Sequence, residues 1–271
     1  MAASAQAKRD AFRRLHQQGC FLLPNPWDVG SAKVLQHLGF KALATTSAGM
    51  AWAMGRADGA VSLDEVLLHL SSLAHATDLP LNADFENGFA DAPEDIAANV
   101  TLAADTGVAG LSIEDFTGQA ERGLFDFDLA VARVAAARAA IDRSGSGVLL
   151  TGRAEGAIRG APELPEIIRR LTAYSAAGAD CLYAPGLRDE AQVRAVVEAV
   201  APKPVNFLSV GLPVATVAAW GVRRISVGGG LAGVAFGGMM AAAKEIAEQG
   251  TFTLAAQSPG GRGLNQIFSE S

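Results

Sequence analysis

The sequence predicts an α/β fold, a (β/α)8 TIM barrel that carries a C-terminal helical extension. Three observations predict it: eight short apolar segments recur along the chain, each precedes a helical pattern, and several of these patterns end at a glycine. One barrel of this kind takes about 250 residues, and the chain has 271. We therefore expect a single domain over residues 1–271, of which residues 251–271 form the extension.

The eight predicted strands are almost continuously apolar, as expected of parallel strands that helices cover. They comprise residues 20–24, 42–46, 79–84, 108–113, 147–152, 181–184, 204–208 and 224–227. An open, doubly wound sheet is the structural alternative. Eight strand–helix units of similar size favour closure into a barrel instead.

Local signals mark where the intervening helices begin and end. Ser62 and Glu65 have the spacing of a capping box, and residues 91–94 combine Asp, Pro and Glu in the manner of a helix start. Glycine just past a helix readily adopts the left-handed conformation that turns the chain into the next strand. Helix ends are accordingly predicted at Gly39, Gly107, Gly178 and Gly221.

Composition and charge exclude several classes of partner. The formal net charge is −6 and the sequence pI is about 5.3, so nucleic acid and anionic membrane surfaces are not expected partners. Residues 1–18 lack the apolar region of a signal peptide, and no later segment is long and apolar enough for a membrane span. We expect a cytoplasmic protein in which Cys20 and Cys181 are buried, reduced thiols.

Acidic residues cluster at the ends of the third and fourth predicted strands. Asp84 and Glu86 follow the third strand, and Glu114 follows the fourth. The carboxyl ends of all barrel strands face one rim, so these side chains should converge on one pocket. Oxygen ligands without His or Cys suit Mg²⁺, or Mn²⁺, better than Zn²⁺. The alternative is that these acids cap strand ends or pair with arginines.

Other residues at the same rim are candidates for substrate binding. Arg153, after the fifth strand, could bind a carboxylate or stabilise an enolate oxygen, or it could simply pair with Glu155 or a neighbouring acid. Asn206 in the seventh strand could donate to a substrate or be satisfied by the backbone. Residues 45–49 and 228–230 could surround an anion with backbone N–H groups, although glycine at 228–230 could equally serve close packing.

Two further segments have open interpretations. Residues 116–127 are polar and contain glycines directly after the acidic strand end, which predicts a mobile lid, with a solvated surface loop as the alternative. Residues 251–271 form either a frayed end or an arm that packs on another subunit.

Several short motifs together carry a resemblance to a known family. They are NPWDVGSA at 25–32, TTSAG at 45–49, DG at 58–59, ADFENG at 83–88, SIED at 112–115 and GR at 152–153. In this order, at these strand ends, they resemble the isocitrate lyase/phosphoenolpyruvate mutase superfamily over about residues 21–250. The resemblance implies a (β/α)8 barrel, bound Mg²⁺ and substrates with a 2-oxo or 2-hydroxy acid unit.

The resemblance also implies roles for individual residues. Asp84, Glu86 and Glu114 resemble the metal-binding set, and Asp58 resembles the residue that supports this set through ordered water. The family commonly has Asp at the position of Glu86. Because the Glu side chain is one methylene longer, ligation through water is an alternative to direct ligation there.

The substrate contacts follow from the same comparison. The segment formed by Thr46, Ser47 and Ala48 resembles the one that holds substrate carboxylate or oxo oxygens. Arg153 resembles the arginine that faces the reacting enolate oxygen. Asp84 and Asn206 complete the expected substrate-binding set.

The predicted lid departs from the family pattern. Lyases that resemble isocitrate and methylisocitrate lyase carry a Lys-Lys/Arg-Cys-Gly-His motif whose cysteine is the acid–base group, whereas residues 117–123 read TGQAERG. The Lys and Asn of mutase-type lids are not evident, and residues 183–185 lack the glutamate typical of the lyases. Glu121 and Arg122 are therefore the candidate catalytic residues on the lid.

The leading hypothesis is a Mg²⁺-dependent lyase that cleaves a carbon–carbon bond of a small 2-oxo or 2-hydroxy di- or tricarboxylate through an enolate. Oxaloacetate decarboxylation and 2-methylisocitrate-like cleavage are examples. The alternatives are C–P bond chemistry on a phosphonopyruvate-like substrate, and a barrel that binds a 2-oxo acid with little turnover. The family resemblance also suggests a homotetramer with exchanged C-terminal helices.

Overall fold

Eight parallel strands alternate with helices along the chain. The computed structural model describes residues 3–160, 163–209, 211–258 and 260–269. The strands are β1 Phe21–Leu23, β2 Leu43–Ala44, β3 Leu81–Asp84, β4 Gly110–Glu114, β5 Leu149–Arg153, β6 Cys181–Tyr183, β7 Val205–Leu208 and β8 Arg224–Ser226. Their order in the sheet is β1-β8-β7-β6-β5-β4-β3-β2. Each of the eight predicted strands coincides with an observed one.

Contacts between β1 and β2 close the sheet into a barrel. The backbone N–H of Ala44 donates to the carbonyl of Pro24 at 3.0 Å, and the side-chain amide of Asn25 donates to the carbonyl of Thr45 at 2.8 Å. With these bonds, the first and last strands of the sheet order are joined. The predicted (β/α)8 barrel is confirmed, and the doubly wound alternative is excluded.

The helices surround the strands and end largely where the sequence predicts. They are α1 Ala5–Leu15, α2 Val29–His37, α3 Ser47–Ala53, α4 Leu63–Ala76, α5 Pro93–Asp105, α6 Phe127–Ser144, α7 Gly156–Arg159, α8 Leu164–Ala176, α9 Glu190–Val200, α10 Val214–Ala219, α11 Gly230–Gln249 and α12 Gly260–Ser269. The capping box of Ser62 and Glu65 is present at the start of α4. Helix α5 is capped by Ala92 without a side-chain bond, so the predicted contribution of Asp91 is absent. The four predicted terminal glycines all have positive φ, between 85° and 104°.

The two faces of each strand differ in character. Residues that point outward are apolar and pack under the helices, as Leu111 and Ile113 of β4 do. Residues that point into the barrel are largely polar, and Asn82, Ser112 and Thr151 among them are buried. Side chains alternate between the two faces of a strand, so the polar residues that point into the barrel lie two positions apart in the sequence.

Helix α1 seals the end of the barrel opposite the carboxyl ends of the strands. The Lys8 ammonium donates to the carbonyl of Ala74 at 2.6 Å, and the Arg9 guanidinium donates to the carbonyl of Val108 at 3.0 Å. Phe12 is fully buried and packs with Leu23 and residues of neighbouring strands. The barrel interior is therefore open at one end only.

The chain ends in the predicted helical extension. After α11, a short 3-10 turn leads to α12, which packs against α2. Helix α11 buries only Ala232 and exposes apolar side chains along its length, including Val234, Met239 and Met240. In the part of the chain that the structure describes, no helix combines the length and apolarity needed to cross a membrane.

Candidate active site

Arg153 stands at the centre of the rim formed by the carboxyl ends of β3, β4 and β5. Its Nη1 atom lies 3.0 Å from Asp84 Oδ1 and 3.3 Å from Glu114 Oε2. Its Nε atom donates to Glu155 Oε1 at 2.5 Å. The predicted convergence of the strand ends is thus observed, and so is the ion pair with Glu155 that the sequence leaves open.

Arg153 and the carboxylates around it shift one another's pKa values. Burial alone would lower the pKa of the Arg153 guanidinium, but Glu114, Glu155 and Asp84 together raise that pKa well above its ordinary value. Burial raises the pKa of Glu114 well above the ordinary value, and the charges of Glu155 and Asp84 raise it further against the effect of Arg153. The site therefore contains more carboxylate charge than its arginine balances.

Glu86 adds a further carboxylate beside this group. Burial raises the pKa of Glu86 to about 7, with contributions from the charges of Asp84 and Asp58. Its backbone is in the left-handed region at φ 46°, which is uncommon for residues other than glycine. The Glu86 carbonyl accepts a bond from the N–H of Glu114 at 3.0 Å, which fixes the loop after β3 against the end of β4.

Arg133 holds the loop that follows Glu86. The buried Arg133 guanidinium donates to the carbonyls of Asn87, Ala90 and Asp91. It also lies over the ring of Phe125, 3.9 Å from the ring centroid. The loop is thereby tied to helix α6 and to the base of the predicted lid.

The segment between β2 and α3 contacts Asp84 directly. The backbone N–H of Ser47 donates to Asp84 Oδ2 at 3.1 Å, and the N–H of Asp84 donates to Thr45 Oγ1 at 2.8 Å. Thr46 caps helix α3 by accepting from the N–H of Gly49. The predicted anion-binding segment thus lies at the site, with the N–H of Ser47 bonded to a carboxylate of the chain itself.

Two adjoining cavities connect the rim to the barrel interior. The inner cavity, about 190 Å³, and the outer cavity, about 310 Å³, share Ser47, Asp58 and Arg153. The predicted residues that line the inner cavity are Thr46, Ser47, Ala48, Asp58, Asp84, Arg153 and Asn206. Glu86 and Glu114 line the outer cavity. The structure therefore brings together every candidate of the sequence analysis except the two on the lid.

The lid candidates lie apart from the cavities. Residues 116–127 form a hairpin-like loop in which the N–H of Thr117 donates to the carbonyl of Gly123 at 3.0 Å. Glu121 and Arg122 are exposed at its tip, and Arg122 pairs with Asp91 at 2.7 Å. Neither residue lines the inner or the outer cavity, so this lid conformation does not bring them to the site.

Two other predicted binding elements, Asn206 and the segment 228–230, form hydrogen bonds with other residues of the protein. Asn206 donates through Nδ2 to Ser226 Oγ at 3.0 Å and accepts from Arg224 Nε through Oδ1, so its side-chain amide is bonded to side chains and not to the backbone considered as the alternative to a substrate. The N–H groups of Val227 and Gly228 both donate to Asn25 Oδ1 at 2.9 Å. Within the predicted anion-binding segment 228–230, the N–H of Gly228 is thus already bonded to a side chain of the protein.

A buried polar network lies behind the rim. Asp115 Oδ2 accepts from Arg170 Nη1 at 3.0 Å and from the Tyr174 hydroxyl at 2.7 Å. Its other oxygen accepts from the N–H of Glu155 at 2.8 Å. Through this network, helix α8 fixes the segment that carries Arg153 and Glu155.

Several residues that line the inner cavity were not predicted from the sequence. Tyr183, whose ring centroid lies 5.3 Å from the Arg153 guanidinium carbon, is one, and Asn82, Ser112 and Arg224 are others. The sequence pattern that could have identified Asn82 and Ser112 is a polar residue two positions before a residue of the rim, here Asp84 and Glu114. That spacing places both side chains on the inner face of a strand.

Neither cysteine lines the inner or the outer cavity. Cys20 and Cys181 are free thiols, as predicted, but only Cys181 is buried; Cys20 is half-buried, so the predicted burial is wrong for Cys20. Burial raises the pKa of both thiols. Within the described ranges, no three His, Cys, Asp or Glu side chains are grouped so that they could hold a metal ion. Asp84 and Glu114 instead converge on the positively charged Nη1 atom of Arg153, which lies between them.

Comparison with known proteins gives both relatives and similar structures. Oxaloacetate decarboxylase of Paraburkholderia xenovorans is 31% identical over 213 residues, which cover 74% of this chain and 69% of the relative. A relative from Mycobacterium tuberculosis that is named only as an uncharacterised protein is 34% identical over 221 residues, which cover 80% of this chain and 81% of the relative.

Two solved structures extend the comparison. A Burkholderia cenocepacia protein, provisionally named a lyase/mutase, has 44% sequence identity and a TM-score of 0.95, with 98% of both chains covered. Oxaloacetate acetylhydrolase in complex with its product oxalate has 25% identity and a TM-score of 0.87, with 97% of this chain and 94% of that chain covered.

The family assignment follows from these matches together with the barrel and its acidic rim. A family profile described as phosphoenolpyruvate phosphomutase matches residues 12–247, nearly the whole barrel and helix α11. The predicted family is confirmed. The chain belongs to the phosphoenolpyruvate mutase/isocitrate lyase superfamily, whose members among its relatives and structural neighbours are lyases and mutases.

Proposed function

We propose that this protein is a Mg²⁺-dependent lyase that cleaves a carbon–carbon bond of a small 2-oxo or 2-hydroxy di- or tricarboxylate through an enolate. The observation that carries the proposal is the convergence of Asp84 and Glu114 on one cationic atom of Arg153 at the opening of a small cavity. This arrangement combines carboxylates in excess with one arginine, both within reach of a bound ligand.

The carboxylate oxygens at the rim are the ligand type that Mg²⁺ prefers, although Asp84 and Glu114 meet Arg153 Nη1 in this structure rather than one another around a common metal position. Burial and neighbouring acids raise the pKa values of Glu86 and Glu114, which is the expected behaviour of carboxylates that lack sufficient positive charge nearby. Asp84, Glu86 and Glu114 would hold Mg²⁺, with Asp58 supporting them. When bound, Mg²⁺ supplies Lewis-acid polarisation of a 2-oxo group.

The chain's own residues would orient the substrate and stabilise developing charge. Arg153 presents a guanidinium whose pKa is raised by three acids, so it stays charged and can donate to an oxygen that becomes negative as the bond to C3 breaks. Burial raises the pKa of the Tyr183 hydroxyl to about 12, so Tyr183 stays protonated beside Arg153. Both side chains therefore act as donors at neutral pH.

The size of the inner cavity supports a small substrate. Pockets for drug-sized ligands occupy about 300–1,000 Å³, whereas the inner cavity occupies about 190 Å³. The relatives agree with this class: one is named oxaloacetate decarboxylase, and oxaloacetate acetylhydrolase is solved with oxalate. Substrates of about four to six carbons are therefore the first to assay.

The test is a panel of 2-oxo and 2-hydroxy di- and tricarboxylates assayed with Mg²⁺ and after its removal by chelation. We expect turnover that yields pyruvate with CO₂, or an aldehyde or oxo acid, and loss of this activity on chelation. Asp84→Asn and Arg153→Gln should each lower kcat/KM by about 10²-fold or more. Arg194→Gln is the matched control, because Arg194 pairs with Glu190 on the surface at 2.7 Å.

Three outcomes would contradict the proposal. Phosphate release or rearrangement of a phosphonopyruvate would assign C–P chemistry instead. Tight binding of 2-oxo acids without turnover would assign the binding-only alternative. Calorimetry that detects no uptake of Mg²⁺ or Mn²⁺, with or without ligands, would remove the basis of the lyase mechanism.

We also propose that the protein is a cytoplasmic homotetramer. The two free thiols support a reducing compartment. Helix α11 supports assembly, because its residues 230–243 are all apolar or glycine. A helical segment that is apolar on all sides is normally buried, whereas this one leaves Val234, Met239 and Met240 exposed. A second copy of the chain is the partner to which this helix and the extension would pack.

A further inference from the structure

Arg224 is a buried arginine without an acidic partner. It lies in strand β8 and is 2% exposed. None of the ion pairs formed within the described parts of the chain includes Arg224. A buried charge without a counter-charge is costly, so a group of this kind points to a ligand of opposite charge or to a special structural need.

Strand pairing places Arg224 on the same face as Arg153. In the register of the sheet, Arg153 pairs with Tyr183, Tyr183 with Asn206, and Asn206 with Arg224. Directly paired residues of neighbouring strands project to the same face. Both arginines therefore project into the barrel, and both line the inner cavity together with Asp84.

The hydrogen bonds of Arg224 leave one end of the guanidinium weakly used. Its Nε donates to Asn206 Oδ1 at 2.9 Å and its Nη2 to Thr151 Oγ1 at 3.0 Å, both ordinary distances. The contacts of Nη1 are longer, at 3.4 Å to His16 Nε2 and 3.5 Å to Asn82 Oδ1. The bonds of Nε and Nη2 therefore fix the position of Nη1, and Nη1 can still donate to a ligand.

The partners that hold Arg224 are themselves fixed. Asn206 is oriented by its bond to Ser226, and His16 Nδ1 lies 2.8 Å from the carbonyl of Phe12, to which it must donate. His16 Nε2 is then the unprotonated nitrogen that faces Arg224. Such preorganisation lowers the cost of binding, because the guanidinium need not be ordered when the ligand arrives.

We propose that Arg224 binds a carboxylate of the substrate through Nη1 and thereby makes the inner cavity selective for dicarboxylates. The opposite, 2-oxo acid end of the same molecule faces the acidic rim at Asp84. This inference rests on the proposed function only for the placement of the 2-oxo acid group at the rim. It adds a specificity-determining residue at the floor of the cavity, away from the reacting bond.

The test compares two five-carbon ligands that share the 2-oxo acid end and differ in one carboxylate. Dissociation constants of 2-oxoglutarate and 2-oxopentanoate are measured calorimetrically in the presence of Mg²⁺. The wild-type protein should bind the dicarboxylate at least about tenfold more tightly, the expected contribution of a hydrogen bond to a charged group. In Arg224→Gln this preference should vanish, through a loss of about tenfold or more in affinity for the dicarboxylate only.

Two further variants separate binding from folding. Arg224→Lys keeps the charge and should keep part of the preference, which also covers the case in which Arg224→Gln does not fold. Arg9→Gln is the matched control, because Arg9 also donates to neutral acceptors but does not line the cavity; it should keep the full preference. If Arg224→Gln or Arg224→Lys weakened both ligands equally, the role of Arg224 would be structural and the inference would be overturned.

A metal-free arm distinguishes this inference from the proposed function. If no 2-oxo acid bound in the presence of Mg²⁺, the proposed function would be contradicted. The role of Arg224 would then be tested by the binding of succinate, which has two carboxylates and no oxo group. Without metal, wild-type protein should bind succinate more tightly than Arg224→Gln. Equal affinities would overturn the inference, even where Mg²⁺-dependent turnover is observed.

Discussion

His16 is a neutral hydrogen-bond acceptor beneath the floor of the inner cavity. Burial, together with the positive charge of Arg224, lowers the pKa of His16 to about 3. Its ring packs edge-on against Phe12 and Phe21, with centroids 4.6 Å and 5.1 Å apart. A charged imidazole at this position would face the Arg224 guanidinium directly, so the local structure requires the neutral form.

This requirement predicts a dependence of stability on pH. The pKa of His16 is about 3 in the folded protein against an ordinary 6.5, so between these values the unfolded chain binds the extra proton. The free energy of unfolding should therefore fall as pH decreases from 6.5, by at most about 1.4 kcal/mol per pH unit from this group. Urea unfolding of the wild type and His16→Gln between about pH 7 and pH 5 measures the difference in slope. Equal slopes in the two proteins would show that His16 does not contribute.

The buried network around Asp115 joins three elements of the barrel. Asp115 follows β4, Arg170 and Tyr174 belong to α8, and Glu155 precedes α7. All four residues are buried, so their polar atoms depend on one another rather than on water. The network fixes the end of β5, and with it Arg153, by contacts that do not themselves line the inner cavity.

Removing the acid at the centre of this network should be strongly destabilising. Asp115→Ala leaves the guanidinium of Arg170 and the hydroxyl of Tyr174 without their buried acceptor, at a cost of about 3–5 kcal/mol in the free energy of unfolding. Glu190→Ala is the control, since its pair with Arg194 is about half exposed and should cost less than about 1 kcal/mol. Urea denaturation of both variants provides the measurement. A loss below about 1 kcal/mol for Asp115→Ala would contradict the assigned role.

Elements were predictable from sequence to the extent that their signals are local. The strands were found through their outward apolar residues, such as Leu111 and Ile113, and the rim acids through their position after those strands. Arg224 was placed in a strand, but its burial inside a closed barrel depends on seven other strands and has no local signal. The orientation of Glu121 and Arg122 was likewise beyond prediction, because loop side chains are directed by distant partners such as Asp91.

At the scale of the whole molecule, helix α11 and the extension expose several large apolar side chains. Met239 and Met240 are 59% and 60% exposed, and Phe252 after the helix is 62% exposed. Large exposed apolar patches are uncommon on monomeric proteins and mark interaction sites. The proposed homotetramer would bury this surface between copies of the chain.

If the copies of the chain assemble through this surface, charged residues introduced there should lower the mass of the assembly in solution. The double substitution Met239→Lys and Met240→Lys places two charges in the proposed interface, so it should lower the mass measured by light scattering or sedimentation from that of a tetramer towards that of a monomer. Leu68→Lys is the control, because Leu68 is 71% exposed on α4, away from α11, and should leave the mass unchanged. A monomeric wild type, or a double variant of unaltered mass, would contradict the proposal.

Helix α1 has a consequence for the order of events during synthesis. It leaves the ribosome before any strand, yet Lys8, Arg9 and Arg13 donate to carbonyls as distant as those of Ala74, Ser146 and Gly147. Its docking place is complete only when β8 has been made, since His16 meets Arg224 there. The contacts of this first helix are therefore completed only after the last strand of the barrel has been made.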